Sequence, residues 1–292
     1  MGLHPDRHRT DMTVAQAIAF AHGVDRLDAQ LLLLHALGRD AMDRAWLTAH
    51  DTDVVSPAAR ALFEAGVARR AAGEPLAYIT GHKEFYGLNL AVDARVLVPR
   101  PDTETLVDWA LQVLSPKPAA RVIDLGTGSG AIALALKHTR ADLQVSAVDA
   151  SADALAVARA NAQRLQLDVK WAQDNWLEGV SGQFDAIVSN PPYIAAADHH
   201  LDGLIHEPLS ALTSGADGLD DIRTIISQAS AHLHKGGWLL LEHGYDQAEA
   251  VRDLLTEAGF SHVQSRHDLA GIERCSGARW ITPSPGQSPC IK

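Results

Sequence analysis

The sequence predicts an α/β fold in which a mostly parallel sheet with crossover helices follows a small N-terminal helical domain and a β-hairpin connector. From residue 121 onward, short β-branched and apolar runs alternate with helical patterns, and a glycine-rich turn joins the first such run to a helix. Before residue 75, helical periodicity continues without any strand pattern. We therefore expect a helical domain at 1–75, a hairpin linker at 76–98, an α/β domain at 99–282 and a disordered tail at 283–292.

Composition and charge exclude several classes of protein. The 292 residues are 47% hydrophobic and 21% charged, which is typical of a globular chain with a normal core. A formal net charge of -11 argues against tight non-specific binding to nucleic acid, which needs a basic surface. The only cysteines, Cys275 and Cys290, form no CxxC pair, which fits a reducing cytoplasm. We expect neither export nor membrane association, because no signal-peptide core, myristoylation signal or bilayer-length apolar run is present.

Capping signals and periodicity define the helices of the first domain. Thr13 can cap a helix that ends near Gly23, and Asp25 can begin a second helix that runs to Gly38. Ser56-Pro57 is typical of an N-cap followed by proline at the first helical position.

The residue pattern changes between Tyr78 and Val98, where aromatic and β-branched residues alternate with glycines. This pattern predicts a hairpin. Pro99-Arg100-Pro101 ends this segment, and Asp102 or Thr103 can cap the helix that follows.

The remaining chain alternates strand and helix. The predicted strands are Arg121–Leu125, Gln144–Asp149, Val169–Gln173, Phe184–Ser189 and Trp238–Glu242, with short strands near Val263 and Arg279. The predicted helices are Ala131–Lys137, Ser151–Leu165, one after Asp221, and Asp246–Ala258. This order predicts parallel strands whose carboxyl ends form one edge, where open α/β sheets bind ligands.

A glycine-rich loop, Gly126-Thr127-Gly128-Ser129-Gly130, lies between the first of these strands and its helix. Glycines there permit a tight turn and close approach of a ligand to the backbone, and the helix start offers N–H groups. The loop alone is compatible with NAD, flavin or S-adenosylmethionine, and a plain tight turn is the competing interpretation.

Two further positions at this edge suggest a nucleoside ligand. Asp149 ends the second strand about twenty residues beyond the loop, where an acid can accept both ribose hydroxyls, although it can also cap a helix. Asp174 and Trp176 follow the third strand and can contact an adenine by hydrogen bonding and stacking. A tryptophan in such a loop is also a common packing anchor.

Asn190-Pro191-Pro192-Tyr193 follows the fourth strand and indicates the chemistry. A planar amide nitrogen is a poor nucleophile because its lone pair is delocalised, and its NH₂ group carries two donors. The Asn190 side-chain oxygen and the Pro191 carbonyl can each accept one of them, held still by the two prolines. The Tyr193 ring can supply a flat surface beside the planar amide. In this scheme the rate enhancement would come from positioning of the amide and not from a strong base. A proline-rich turn without chemistry is the alternative.

A histidine-rich segment just downstream offers a competing signal for a metal. The segment contains six possible metal ligands, Asp198, His199, His200, Asp202, His206 and Glu207. Their spacing matches no known metal-binding pattern. A solvated surface loop is the favoured interpretation, and we expect no metal. His206-Glu207-Pro208 can instead brace the loop that carries Asn190.

Five segments together resemble the release factor glutamine methyltransferase family, known as PrmC or HemK. They are VLVPRPDTE, VIDLGTGSGAIALAL, SNPPYI, HEPLSAL and GGWLLLEHG, and the resemblance extends from the helical domain to Trp280. It implies a Rossmann-like class I methyltransferase sheet and methylation, by S-adenosylmethionine, of N5 of the glutamine in the Gly-Gly-Gln loop of class-I peptide chain release factors. It also implies cofactor contacts from Gly126–Gly130, Asp149, Trp176 and Asn190, and a glutamine held by Asn190–Tyr193.

One stretch selects between two branches of this resemblance. Pro99–Glu104, read as PRPDTE, is similar to the release-factor branch, whereas the branch that methylates a ribosomal-protein glutamine differs after its Pro-Arg. Ile205 departs from the family pattern, in which many members carry arginine.

Three alternatives stand beside this prediction. The first is methylation of a ribosomal-protein glutamine. The second is methylation of an exocyclic amine of adenine or guanine in DNA or RNA, which poses the same lone-pair problem. The third is a cofactor-binding scaffold without catalysis. We also expect the helical domain to dock the protein substrate, because a single glutamine provides too little surface for specificity.

Overall fold

The computed structural model describes residues 11–281, and its contacts divide the chain into two units, Met1–Gly81 and His82–Lys292. The division differs from the boundary predicted at residue 75, because Leu76–Thr80 is a helix of the first unit and not part of the hairpin. Gly81 ends that helix with a φ of 78°, a left-handed conformation that glycine adopts without strain. The tail predicted at 283–292 and Cys290 lie outside the described residues.

The helices of the first unit begin where capping residues were predicted. They are α1 (Val14–Phe20), α2 (Arg26–Ala36), α3 (Arg44–Ala49), α4 (Pro57–Ala71) and α5 (Leu76–Thr80). Thr13, Asp25 and Ser56 each accept a backbone N–H of the first turn, which confirms the three predicted caps. The short α3 was not predicted, and its N-cap makes no side-chain hydrogen bond that would have signalled it.

An aliphatic core holds this unit together. Leu32, Leu33 and Leu34 of α2 and Phe63 of α4 are all buried, as is Ile79 of α5. Burial of one such side chain contributes about 1.5–3 kcal/mol, so packing rather than helix propensity stabilises these short helices.

The second unit begins with a hairpin, β1 (His82–Phe85) and β2 (Leu88–Ala91), in which the two strands pair antiparallel. A 3-10 turn at Pro101–Thr103 leads into α6 (Glu104–Leu114). The rest of the unit consists of β3 (Arg121–Leu125), α7 (Ala131–Thr139), β4 (Gln144–Asp149), α8 (Ala152–Leu165), β5 (Lys170–Gln173), β6 (Phe184–Ser189), α9 (Asp220–His232), β7 (Leu233–Glu242), α10 (Ala248–Glu257), β8 (Ser261–His267) and β9 (Glu273–Arg279).

The seven-stranded sheet of this unit has the order β5-β4-β3-β6-β7-β9-β8. The strands from β5 to β7 pair in parallel, as predicted, whereas β9 pairs antiparallel with both β7 and β8. Because β3 lies between β4 and β6, the chain reverses its direction of progress across the sheet at β3, which is where ligands of such sheets bind.

Helices cover both faces of this sheet. On one face, Val122 of β3 and Val145 of β4 pack with α6 and α7, including the fully buried Trp109. On the other face, Ile123 of β3 and Leu239 of β7 pack with α9 and α10. Alternate residues of each strand therefore enter opposite core layers. Across residues 11–281, no helix is both long and apolar enough to span a bilayer.

Candidate active site

The carboxyl edge of the parallel strands carries the residues that the sequence singled out. Gly126 follows β3, Asp149 ends β4, Asp174 follows β5 and Asn190 follows β6. All four line one cavity of about 490 Å³, which we call the large cavity. Its volume lies within the range of small-molecule and cofactor sites.

Only alternate residues of the glycine loop face the large cavity. Gly126 and Gly128 line it with φ angles of 68° and 56°. Thr127 is buried and its hydroxyl donates to Asp124 Oδ2 at 2.6 Å. The Thr127 N–H donates to the Val148 carbonyl, and the Gly130 N–H donates to the Thr127 carbonyl, so both groups are engaged within the protein. Ser129 is buried too, so of the five loop residues only the first and third line the cavity.

Asp149 lies beside this loop and does not cap a helix. Its Oδ2 accepts the Gly128 N–H at 2.8 Å, and its Oδ1 accepts the Ser151 N–H at 2.9 Å. Ser151 is the N-cap of α8, since its side chain accepts from Ala154. Burial raises the pKa of Asp149 despite these two hydrogen bonds. The carboxylate is thus fixed at the rim of the large cavity and retains free acceptor positions for ligand hydroxyls.

Trp176 closes another side of the large cavity. Its backbone has a φ of 56°, and its ring lies 3.2 Å from where a side chain at Gly126 would begin. Its Nε1–H donates to Asp221 Oδ1 at 3.2 Å, which fixes the ring. Asp174 uses Oδ1 within its own loop, where it accepts from Asn175 and Gly179.

Asn190 stands between the large cavity and a second one. This small cavity, of about 80 Å³, is lined by Asn190, Pro191 and Tyr193 together with Leu97 and Arg100. Asn190 lines both cavities, and its Oδ1 is buried without a hydrogen-bond partner among the described residues. A buried acceptor of this kind is costly unless a ligand satisfies it. The four residues Asn190–Tyr193 are therefore brought together at the junction of two cavities.

Tyr193 lines the small cavity and is hydrogen-bonded to the buried Glu242. The Tyr193 hydroxyl donates to Glu242 Oε1 at 3.5 Å, and burial together with the Glu242 charge raises the pKa of Tyr193 above its usual range. Glu242, at the end of β7, is itself buried, and this burial raises its pKa to about 7. The sequence reasoning did not select Glu242, although a carboxylate at the end of the apolar run WLLLE was a usable signal.

Thr103 is the N-cap residue of α6, one of the two positions predicted for the cap. It stands before α6, but its side chain makes no capping hydrogen bond. Instead its oxygen accepts the Asn190 Nδ2–H at 3.2 Å. The predicted N-cap position is therefore confirmed, but the side-chain capping bond is absent, and the Thr103 oxygen accepts instead from a residue distant in the chain.

Asp124 is a second buried acid that the sequence reasoning missed. It lies inside β3, accepts from Thr127 and from the Ala133 N–H at 3.3 Å, and leaves its Oδ1 without a partner among residues 11–281. Burial raises its pKa to about 7. A carboxylate within the buried run RVIDL, directly before the glycine loop, was the available signal.

Glu207 braces the loop beyond Asn190, as predicted for this segment. Its Oε1 accepts from Arg100, and its Oε2 accepts the Val98 N–H at 3.0 Å. Upstream, Asp198, His199 and His200 lie close enough to share an ion, but both histidines are exposed. Asp198 instead accepts from His200, which fits the surface-loop interpretation.

Comparison with known proteins establishes the family. A Methyltransferase small domain model matches residues 105–264, and a PrmC N-terminal domain model matches residues 14–81. A release factor glutamine methyltransferase from Bordetella pertussis is 50% identical over 270 residues, which cover 91% of this chain and 99% of the relative. The chain belongs to the release factor glutamine methyltransferase family. Another member, from Xylella fastidiosa, is 48% identical and covers 91% of this chain and 97% of its own.

A solved structure agrees on the fold. The crystal structure of a methyltransferase from Pyrococcus furiosus has a TM-score of 0.52 and 21% identity, covering 73% of this chain and 97% of that chain. Together with the family match and the strand order, it confirms the predicted Rossmann-like class I methyltransferase fold.

The raised pKa of Asp124 predicts a specific dependence of stability on pH. An aspartate ionises near pH 3.9 in an unfolded chain but near pH 7 here, so the folded state holds the extra proton between these values. The contribution of Asp124 to the free energy of unfolding is therefore present at low pH and is lost as the pH rises from about 4 to about 7. We expect the free energy of unfolding of Asp124→Asn, measured by urea denaturation, to rise relative to that of the wild type as the pH increases across this range.

The control for this experiment is Asp253→Asn, an exposed position of α10. Its difference from the wild type should stay constant over the same pH range. If the difference in free energy of unfolding between Asp124→Asn and the wild type were equally independent of pH, the raised pKa of Asp124 would be contradicted.

Proposed function

We propose that this protein transfers a methyl group from S-adenosylmethionine to N5 of the glutamine in the Gly-Gly-Gln motif of class-I peptide chain release factors. The observation that carries the proposal is the position of Asn190, whose buried and unpaired Oδ1 stands between a cofactor-sized cavity and a small one. The names of the relatives at 48–50% identity support the release factor as substrate. Such a role in translation termination places the protein in the cytoplasm.

The large cavity fits the cofactor through its donor set. Gly126 and Gly128 allow a ligand to approach the backbone, and Asp149 offers carboxylate oxygens to ribose hydroxyls. Trp176 offers a fixed aromatic surface, and Asn190 reaches the cavity from the opposite loop. Thr127, Ser129 and Gly130 contribute by shaping the loop. When bound, S-adenosylmethionine supplies an electrophilic methyl group, and no residue of this scheme needs a metal.

The small cavity fits a planar amide. The Asn190 Oδ1 and the Pro191 carbonyl accept the two N–H groups of the substrate amide, which turns the face of its nitrogen toward the large cavity. Pro192 keeps the loop rigid and Tyr193 limits the space beside the amide. With the cofactor bound, the N–C bond would form as the S–CH₃ bond breaks, leaving S-adenosylhomocysteine, and the amide proton, made acidic by this change, would pass to water, so no strong base is required. Orientation of this kind can supply about 7–11 kcal/mol of a barrier.

Gly126→Ala tests the cofactor site. An alanine there must adopt a φ of 68° and place its side chain 3.2 Å from the Trp176 ring, so the loop or the ring has to move. We expect the dissociation constant of S-adenosylhomocysteine, measured by isothermal titration calorimetry, to rise at least tenfold. Gly259→Ala is the matched control, because its φ of 84° is equally strained but nothing lies within 4 Å. Equal affinities in the two variants would argue against this site.

Mass spectrometry of a purified release factor tests the activity. After incubation with the enzyme and S-adenosylmethionine, we expect one added methyl group on the glutamine of the Gly-Gly-Gln motif. Asn190→Ala should remain folded and lose at least a hundredfold in rate, because the substrate amide loses its acceptor. Asn89→Ala, an exposed position of β2, should keep the wild-type rate.

Four outcomes would contradict the proposal. Methyl transfer to a ribosomal-protein glutamine but not to the release factor would favour the sister branch. Label from the cofactor in DNA or RNA, with none in protein, would favour an exocyclic-amine methyltransferase. Near-normal turnover by Asn190→Ala would exclude the mechanism, and no methyl transfer by the wild type would favour a cofactor-binding scaffold without catalysis.

We further propose that the helical unit docks the release factor. A standard specific interface buries about 800 Å² on each partner, which one glutamine cannot provide. This unit carries exposed apolar side chains, Phe20, Leu27 and Met42, that are available for such contact.

A shortened chain, His82–Lys292, tests the docking proposal. The chain divides at this point, and the sheet has its own core, so we expect it to bind S-adenosylhomocysteine normally. Its kcat/KM should fall at least tenfold for an intact release factor and stay unchanged for a short Gly-Gly-Gln peptide. Methylation of the intact release factor at the full rate would exclude docking by the helical unit.

A further inference from the structure

The large apolar side chains that remain exposed in the second unit all lie at one edge of its sheet. Among residues 82–281 there are five of them, and they belong to Ile205, Leu209, Tyr245, Leu269 and Ile272. Single exposed apolar residues are ordinary on a protein surface, but their restriction to one edge is not. We call these five residues the apolar rim.

The sheet topology places the apolar rim at the edge that carries the candidate active site. Ile205 and Leu209 lie in the loop that follows β6, and Tyr245 lies in the loop that follows β7. Because β9 pairs antiparallel with β7, the turn before β9, which carries Leu269 and Ile272, emerges at this edge as well. The strands β6, β7 and β9 are neighbours, so the apolar rim occupies the half of the edge away from β4 and β5, whose ends line the large cavity.

The loop that carries Ile205 and Leu209 also forms part of the small cavity. Leu204, Ala211 and Leu212 of this loop line that cavity. Ile205 and Leu209 are 73% and 62% exposed, so they face solvent from the same stretch of chain. A protein that inserts a side chain into the small cavity therefore brings its own surface against these two residues.

The loop that carries Tyr245 is held against the candidate active site by Gln247. The Gln247 Nε2–H groups donate to the Tyr193 carbonyl at 3.0 Å and to the Asp217 carbonyl at 3.2 Å, and Oε1 accepts the Gly244 N–H at 2.8 Å. Tyr245 is nevertheless exposed. Its position beside Tyr193 is thus fixed by hydrogen bonds, while its ring is left to contact another molecule.

The turn that carries Leu269 is fixed in the same way, by Asp268. Its Oδ1 accepts the N–H groups of Ala270 and Ile272 at 2.8 and 2.9 Å, and its Oδ2 accepts from Arg274 at 3.2 Å. Leu269 is fully exposed in this hydrogen-bonded turn. An apolar side chain that is held in water stabilises nothing in the free protein, but it gains free energy when a partner covers it.

Little charge is presented on these segments, although the chain as a whole has a net charge of -11. The stretch 204–212 and the turn 268–272 contain a single Asp, Glu, Lys or Arg residue each, Glu207 and Asp268. Both side chains are 2% exposed and pair with arginine. The surface that matches the apolar rim on a partner is therefore apolar rather than charged.

We propose that the apolar rim is a docking surface on the second unit for the release factor, and that it receives apolar side chains beside the Gly-Gly-Gln loop. This inference rests on the proposed function, because a glutamine that enters the small cavity brings the surface around it to this edge. A second copy of this chain seated on the apolar rim would close the small cavity to a protein substrate. The release factor is thus the occupant that the position of the apolar rim favours.

The test compares polar and apolar side chains of similar size in the full chain. One variant combines Ile205→Gln with Leu269→Gln and removes apolar contact at two positions. Its matched control combines Ile205→Leu with Leu269→Met and keeps that contact. Both positions are exposed, so we expect the two variants to unfold at the wild-type temperature.

The first measurement is binding of a purified class-I release factor by isothermal titration calorimetry, with S-adenosylhomocysteine present. The dissociation constant should rise at least tenfold in the glutamine variant and stay within about threefold of wild type in the control. Affinity for S-adenosylhomocysteine should be the same in all three proteins. An unchanged affinity of the glutamine variant for the release factor would overturn the docking surface.

The second measurement separates docking from chemistry. For the intact release factor, kcat/KM of the glutamine variant should fall at least tenfold, through KM. For a short Gly-Gly-Gln peptide, which has no surface to dock, it should stay within about threefold of wild type. Equal losses for the two substrates would show damage to the candidate active site and overturn docking.

Sedimentation velocity tests the second copy as the occupant. A wild-type dimer that becomes monomeric in the glutamine variant, with release-factor affinity unchanged, would assign the apolar rim to self-association and overturn the proposal. We expect the two proteins to sediment alike.

These measurements also separate this inference from the proposed function. If the wild type binds the release factor through the apolar rim but leaves it unmethylated, the proposed function fails and docking stands. If the wild type methylates the release factor and the glutamine variant binds it equally well, the proposed function stands and docking fails. If the wild type does not bind the release factor, docking is overturned whatever the enzyme methylates.

Discussion

The parallel pairing of β3 with both β4 and β6 is the constraint on which the candidate active site depends. It brings the ends of three strands to one edge, so that Gly126, Asp149 and Asn190 line the same cavity although they are far apart in the chain. The strand order reverses at β3, which leaves this edge open between helices on opposite faces. Hydrogen bonds then fix the loops in place, as when Gly126 and Thr127 donate to Val148 of the neighbouring strand.

The second feature of this edge is the burial of polar groups that the fold does not fully satisfy. Asp124 and Glu242 are buried carboxyl groups, each with one oxygen that has no partner among the described residues, and burial raises the pKa of both to about 7. Such groups reduce stability, and they are found where a fold places chemistry. Asn190 adds a third unpaired oxygen. Of these three residues, Asn190 lines both cavities.

The sequence anticipated the candidate site unevenly, and the reason lies in the range of the contacts involved. The glycine loop and Asn190–Tyr193 carry local signals, because backbone conformation and proline restrict them within a few residues. Glu242 and Asp124 were missed, since a single acid in an apolar run gives no indication of its partner. The use of the Thr103 side chain was missed for the same reason: capping is the best local use of its hydroxyl, but its partner Asn190 lies 87 positions away in the sequence.

By itself, the sequence determined most of the elements that form, where most of these begin, and the family to which the chain belongs. The caps at Thr13, Asp25 and Ser56 and the alternation of strands and helices are set by neighbouring residues, so they can be read without a structure. Only the tertiary structure decided that Leu76–Thr80 joins the helical unit, that β9 runs antiparallel to β7, and that Trp176 packs over Gly126. Each of these depends on contacts between segments distant in the chain, as does the hydrogen bond from Asn190 to Thr103, and no local pattern reveals such contacts.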